Sequence, residues 1–330
     1  MSEKNNTATV AKDPRSLWSK FMSLNGSSIL IATVAAFILF EIVLQVRSGG
    51  GSGLIFMSPA NLMLILRQQV YIGVIAFGLT LVMLTGNIDL SVGNMLTFLC
   101  CLCAKIVMST NNVAMALLGT MGVGLVCGLF NGVLVSYVRL NSFITTLGAS
   151  SIYSALAIMV SAGTVLVIDT NASPAFQALG KTSFGPVHIL IVWFVVVAIV
   201  LGLLLSRTVY GQQLYAIGAN PIAARFSGLC VGLAAVIQMA NSLSANPQGA
   251  SGKEMEVILC VVLGGCAVNG GKGSVWGTII GVLFYGVLSA GFTALRMSQY
   301  LQWVIMGAIM LVVLSLDVLK ERGVKLWKRK

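Results

Sequence analysis

The chain is a succession of apolar runs, most of them long enough to reach across a lipid bilayer. Ile29–Val46, Val70–Thr85, Val113–Val138, Val187–Leu205, Val275–Leu295 and Tyr300–Val318 are almost free of charge. A helix needs about 20 such residues to cross a hydrocarbon core of about 30 Å. In lipid every backbone N–H and C=O must be satisfied internally, which leaves helices or a closed barrel. Continuous runs, rather than alternating ones, select helices. Charged residues make up only 9% of the 330, against roughly 25% in a soluble domain, so water cannot be the solvent for most of the surface. The reading is an all-α polytopic membrane protein of about eight to ten transmembrane or half-membrane helices. One membrane domain, residues 27–319, lies between basic tails at 1–26 and 320–330.

Those tails hold half of the twenty basic residues. Lys4, Lys12, Arg15 and Lys20 precede the first run, and Lys320, Arg322, Lys325, Lys328, Arg329 and Lys330 follow the last. The positive-inside rule puts both tails in the cytoplasm and requires an even number of crossings. No basic stripe is interleaved with aromatic residues, so the charge of +11 does not imply nucleic-acid binding. The first run lacks a small-residue cleavage site and is read as a membrane helix rather than a leader. The seven cysteines all fall in apolar stretches, with no zinc-type spacing to the single histidine, His188. They read as small buried hydrophobes, and no metal site is expected.

Two apolar segments are interrupted by glycine, one in each half of the chain. Gly86-Asn87 breaks the run from Val70, and Ile88-Asp89-Leu90-Ser91-Val92-Gly93 follows, with a helix expected to restart at Asp89. Gly264-Gly265 and Gly270-Gly271-Lys272-Gly273-Ser274 interrupt the second. Broken helices free backbone groups that only protein or water can satisfy, and paired interruptions point to a pathway. Asp89, Ser91, Asn94, Asn269 and Ser274 are therefore the pathway candidates. A carboxylate in such sequence is costly unless paired, hydrated or capping a helix, and Asp89 has two readings, a pathway group or a buried cap. Of the nine carboxylates, Glu254 and Glu256 also stand out, at the expected start of a helix where the dipole favours them. Neither has a partner base, nucleophile or metal ligand nearby in sequence, and no phosphate-binding loop is present. The chain is not read as an enzyme and needs no cofactor of its own.

Ser206–Gly228 is amphipathic, and Asn220-Pro221 resembles a helix start continued by Ala223-Ala224-Arg225-Phe226. It reads as a cytoplasmic segment lying across the membrane face, suited either to a partner or simply to the interface. Leu229–Leu243 after it is apolar but only fifteen residues long, about 22 Å as a helix. Gly124, Gly128 and Gly132 recur at every fourth residue, a spacing that admits another helix closely and reads as plain packing.

Several of these segments, in order, resemble the inner-membrane permease subunits of bacterial ABC importers for monosaccharides, the ribose and autoinducer-2 type. Gly86–Gly93 is similar to that family's G-G-I-D-L-S-V-G, and Phe143-Ile144-Thr145-Thr146-Leu147-Gly148 to its P-F-I-x-T-L-G. Tyr210–Gly228 resembles its cytoplasmic block. Val261–Gly265 with Gly270–Thr278 resembles its L-G-G-x-x-x-x-G-G-x-G-S-x-x-G-T. The resemblance implies a complex. A second permease chain, identical or a sister, and a two-domain ATP-binding subunit carrying ATP and Mg would join this chain, with an external sugar-binding protein delivering the solute. Asn220, Pro221, Ala224, Arg225 and Phe226 would couple to the ATPase.

This chain departs from the pattern mildly at Asn87 (family Gly), Ser142 (Pro), Glu256 (Asp) and Cys266 (Thr or Ser). A larger departure follows Ser227-Gly228, where roughly fifteen family residues are missing, as an internal deletion between two similar stretches would leave. The expectation is a permease subunit of the bacterial inner membrane that forms the pathway for a monosaccharide or similar small polar solute. The alternatives are an ion-coupled carrier using Asp89, and a degenerate permease impaired by the deletion.

Overall fold

The computed structural model describes residues 27–49, 53–169, 173–185, 187–216, 221–249 and 252–321. Both basic tails, apart from Lys320 and Glu321, lie outside those residues, as does Asn220. Twelve helices are described, α1 (Ser27–Arg47), α2 (Pro59–Leu84), α3 (Val92–Thr110), α4 (Val113–Ser136), α5 (Ser142–Ser161), α6 (Pro174–Lys181), α7 (Ile189–Arg207), α8 (Val209–Ala216), α9 (Pro221–Ser242), α10 (Lys253–Leu263), α11 (Val275–Ala294) and α12 (Gln299–Glu321). Eight of them are long and apolar enough to cross a membrane. Four two-residue strands are the remaining regular structure. The protein is an all-α, polytopic membrane protein.

Helix ends follow the sequence chemistry. Ser58 accepts from Asn61 N ahead of Pro59 at α2's first position, where the missing N–H of proline costs nothing. Asn112 caps α4 and Asn141 caps α5 through their side-chain oxygens. Because successive spans alternate in direction, the loops sort to two ends. At one end lie the starts of α2, α4, α7, α10 and α12 and the finishes of α1, α3, α5, α9 and α11. There β1 (Leu166–Val167) pairs antiparallel with β4 (Ser244–Ala245), tying the loop after α5 to the loop after α9. The hairpin β2 (Ser183–Phe184) with β3 (Val187–His188) closes beside them. This is called the strand end, and the opposite one the break end.

The buried centre is built from α2, α3, α9, α10 and α11, while α1, α4, α5 and α7 present large apolar side chains outward. In lipid such exposure carries no penalty. A close backbone crossing joins α4 to α9. A Cβ on Gly228 would lie 2.2 Å from Gly124 O, and one on Gly128 would lie 2.3 Å from Ala224 O. The glycine spacing is thus used for close backbone approach.

Two expectations are corrected here. Leu229–Leu243 is not a short separate helix; it is the body of α9, which runs unbroken for 22 residues, about 33 Å. The block from Pro221 to Gly228 supplies the first two turns of that span, and α8 forms its own short helix before it. Gly228 and Gly232 mark a helix–helix contact, not a boundary. The helix after the first break begins at Val92, three residues later than Asp89.

A carboxylate that the sequence reading passes over does structural work on α1. Glu41 is buried, and its two oxygens accept from the backbone N–H groups of Ile55 (2.9 Å), Phe56 (2.8 Å) and Met57 (2.8 Å). Gln45 Nε2 donates to it as well, at 3.0 Å. It satisfies the loop into α2, a backbone stretch with no ladder of its own.

Candidate translocation site

The two glycine breaks meet at the break end. Gly86, at φ +73°, sits with its Cβ position 3.1 Å from Asn269 O, and Gly271 N donates to Leu84 O at 2.9 Å. A Cβ on Gly270 would come within 2.6 Å of Gly86 N. These left-handed glycines let two non-helical backbones touch where side chains would hold them apart. Ser274 caps α11 by accepting from Gly277 N at 3.0 Å, and Tyr215 of α8 donates to Gly273 O at 2.7 Å. Thr80 and Thr278 share a hydroxyl contact of 2.7 Å between α2 and α11.

Asp89 lies beside this junction, buried. Its Oδ1 accepts from Ser91 N (2.9 Å) and from Ser91 Oγ (2.6 Å). Asn131 Nδ2 donates to Ser91 Oγ (2.8 Å), and Tyr153 OH donates toward Asn131 Oδ1 (3.1 Å). Leu90 N donates to Thr146 Oγ1 at 3.1 Å, and Asn94 Nδ2 to Ser150 Oγ at 2.8 Å. The void next to Asp89, bordered by Asn131, Thr146 and Ala224, is about 30 Å³, room for little more than water. Asp89, Ser91 and Asn94 therefore knit α3 to α4 and α5. Asn269 and Ser274 join the neighbouring backbone junction.

A measurable consequence concerns Asp89. In Asp89→Ala the Ser91 amide and hydroxyl lose their acceptor, at about 1–3 kcal/mol for each buried donor left unpaired. Asp89→Asn keeps an acceptor oxygen in place. Thermal unfolding of the detergent-solubilised chain should show a large loss for alanine and a small one for asparagine; equal losses would contradict the bonding described.

The strand end holds a much larger polar cavity, about 320 Å³, which the sequence reading missed apart from Glu256. Its wall takes Arg67, Gln68, Gln69 and Tyr71 from α2, and Gln238 and Asn241 from α9. Tyr285 and Ser289 come from α11, and Gln299, Gln302 and Trp303 from α12. Lys253 and Glu256 in the first turn of α10 complete it; Lys253 Nζ donates to Glu256 Oε1 at 2.7 Å and to Oε2 at 2.8 Å. Tyr71 lies beside Lys253 and Tyr285 beside Glu256. Tyr71, Gln238 and Lys253 also border a second void of about 120 Å³ that reaches Thr97 and Asn246, so polar space continues toward α3 and the strands. Glu254, the other acidic residue of that turn, faces elsewhere, and its Oε2 is buried without a partner. Outside the spans, His188 is buried before α7 and accepts from Leu190 N at 3.3 Å. Burial, then the charge of Arg67, holds its imidazole below the usual range.

The described geometry is that of a bundle with a wide polar cavity at one end and a closed junction of broken helices at the other. Residues 61–314 match the family described as the permease component of a branched-chain amino acid transport system. The ribose import permease protein of Bacillus subtilis is 34% identical over 278 residues, covering 79% of this chain and 86% of that protein. The chain belongs to the sugar ABC importer permease family. The ribose import permease of Escherichia coli K12 is 32% identical, over 81% of this chain and 88% of its own length. The galactose/methyl galactoside import permease of the same strain is 31% identical, over 80% and 88%. No solved structure matches the chain. The Bacillus match extends over 278 positions, more than the 79% of 330 residues that this permease contributes, so the relative carries residues that have no counterpart here. A multi-pass permease subunit of the ABC importer type is thereby established.

Proposed function

We propose that this permease forms the inner-membrane pathway for a small polar solute of the monosaccharide class, driven by ATP hydrolysis in a partner subunit. The observation that carries the reading is the cavity itself. Polar space of about 320 Å³ inside an apolar bundle has a solvation cost that only a polar occupant or water offsets. Its lining of amides and hydroxyls matches a polyhydroxylated solute better than the aliphatic side chain of a branched-chain amino acid. The ribose and galactose permeases among its relatives support the same class.

The pathway opens at the strand end and is shut at the break end, as expected of an outward-facing state that receives solute from an external binding protein. Arg139, Arg207, Arg225 and Lys272 lie at loops or helix ends of the break end, and the ten basic residues of the two tails adjoin the start of α1 and the finish of α12 there, against Arg47, Arg67, Lys105, Lys181, Lys253 and Arg296 toward the strand end. That excess favours placing the break end in the cytoplasm. Arg225 is exposed there and Phe226 is partly buried, while Ala224 is packed against Gly128. Of the coupling candidates Pro221, Ala224, Arg225 and Phe226, Arg225 is the group offered to an ATPase, together with exposed Val209 and Tyr210 of α8. A second permease chain would complete the transporter. The ion-coupled alternative loses its motive, because Asp89 is already satisfied by Ser91 and stands apart from the cavity.

Orientation tests the reading. In a background lacking the native cysteines, Ser289→Cys should react with a membrane-impermeant thiol reagent added outside the cell. A cysteine at Arg225 should react only in inverted vesicles. The reverse pattern would place the cavity in the cytoplasm and defeat the importer.

A further inference from the structure

We propose that the strand-end cavity is a solute-selective site in its own right, in which Gln69 reads a hydroxyl group of the solute. The inference rests on the pathway reading and goes beyond it. A pathway needs only width and wetness, whereas a site needs a group left waiting for a ligand. Gln69 is that group. It is 7% exposed, it lines the cavity, and its Oε1 has no hydrogen-bond partner. Buried polar side chains are almost always paired, so an orphan beside a cavity needs a reason.

Packing holds the side chain there. A Cβ on Gly286 would lie 2.6 Å from Gln69 Cγ, so α11 presses on the stem of the side chain and a glycine is what leaves it room. Around it, Gln238, Asn241, Gln302 and Ser289 add groups that donate and accept without net charge. A hydroxyl does both as well, so it satisfies an amide whichever way the amide is turned. The charge of Lys253 is taken up by both oxygens of Glu256, and the pair leaves no net charge to be met by a ligand. Trp303 supplies a flat apolar face for the C–H side of a ring. The class that fits is a neutral, hydroxyl-rich solute of one ring. Arg67 lines the same cavity, which makes a sugar acid the competing class.

The full chain alone, in lipid nanodiscs without ATPase or binding protein, is the material for the test. Saturation-transfer NMR would be recorded with D-ribose, D-galactose, D-galacturonate and L-leucine at equal concentration. One or both neutral sugars should bind saturably, and galacturonate and leucine should not. Gln69→Met, of similar size and apolar, should weaken sugar binding about tenfold, the scale of one lost hydrogen bond. Gly286→Ala, which crowds Gln69 without altering a polar group, should weaken it as well and stands in if Gln69→Met does not fold. The proposal is overturned if neither sugar binds, if galacturonate or leucine binds as well as the sugars, or if the folded variants bind like the wild type. ATP-driven uptake without binding by the isolated chain would defeat the site and leave the pathway reading standing. Selective binding without ATP-driven uptake would do the opposite.

Discussion

Gly228→Ala is expected to prevent the bundle from closing. The new methyl carbon would sit 2.2 Å from Gly124 O and 2.8 Å from Gly128 N and Cα. All three are backbone atoms of α4, which cannot rotate away as a side chain can. Relief requires α9 to move off α4 as a body, and α9 also packs on α2 and α3. Overpacking of a core costs about 1–3 kcal/mol, and with backbone on both sides we expect the upper end or beyond, about 3 kcal/mol. Gly128→Ala, whose methyl would meet Ala224 O at 2.3 Å, should behave alike. Gly122→Ala on the same helix meets nothing within 4 Å and should change stability by less than about 0.5 kcal/mol. Thermal unfolding monitored by gel filtration in detergent separates the three. Equal behaviour of Gly122 and Gly228 variants would mean that α4 and α9 do not cross as described.

Lys253→Met is the second large effect. It strands the Glu256 carboxylate in the cavity wall, where Lys253 had bonded both oxygens. The two side chains are 26% and 15% exposed, so the loss falls below the roughly 3–5 kcal/mol of a fully buried pair, on the order of 2 kcal/mol. An unpaired charge at the cavity also opposes a neutral solute. Uptake should fall by at least about tenfold, equivalent to ~1.4 kcal/mol on the barrier. Adding Glu256→Gln removes the stranded charge and should recover most of the stability. A double variant no more stable than Lys253→Met would mean that the pair is not coupled.

The membrane architecture was legible because it is written in long runs: twenty apolar residues in a row have few other fates. Both glycine breaks were legible for a similar reason, since Gly86 and Gly270–Gly273 interrupt such runs abruptly. Their meeting was not, because nothing local links position 86 to position 269. The amide cavity escaped notice for the same reason, being assembled from α2, α9 and α12. A local signal did exist. Gln238 with Asn241, and Gln299 with Gln302, stand three apart, on one helix face. The role of Glu41 was not legible either, because the three backbone N–H groups that meet its cost lie 14, 15 and 16 residues further along the chain. The family pattern suggested a gap after Gly228, and a gap suggested a truncated span. The helix instead begins at Pro221, because the residues read as a surface segment are apolar and small enough to pack on α4. The block from Pro221 to Gly228 thus supplies the opening turns of a helix of 22 residues.

Solute is expected to cross through this chain at the expense of ATP in a partner. Proteoliposomes containing the permease, its cognate ATPase and its external binding protein would be loaded with ATP and Mg, and uptake of labelled ribose and galactose followed with no ion gradient. Accumulation of at least one sugar is predicted, abolished when the ATPase carries an inactivating change in its phosphate loop. Accumulation that persists with the inactive ATPase, or that appears only under a proton or sodium gradient, would contradict it.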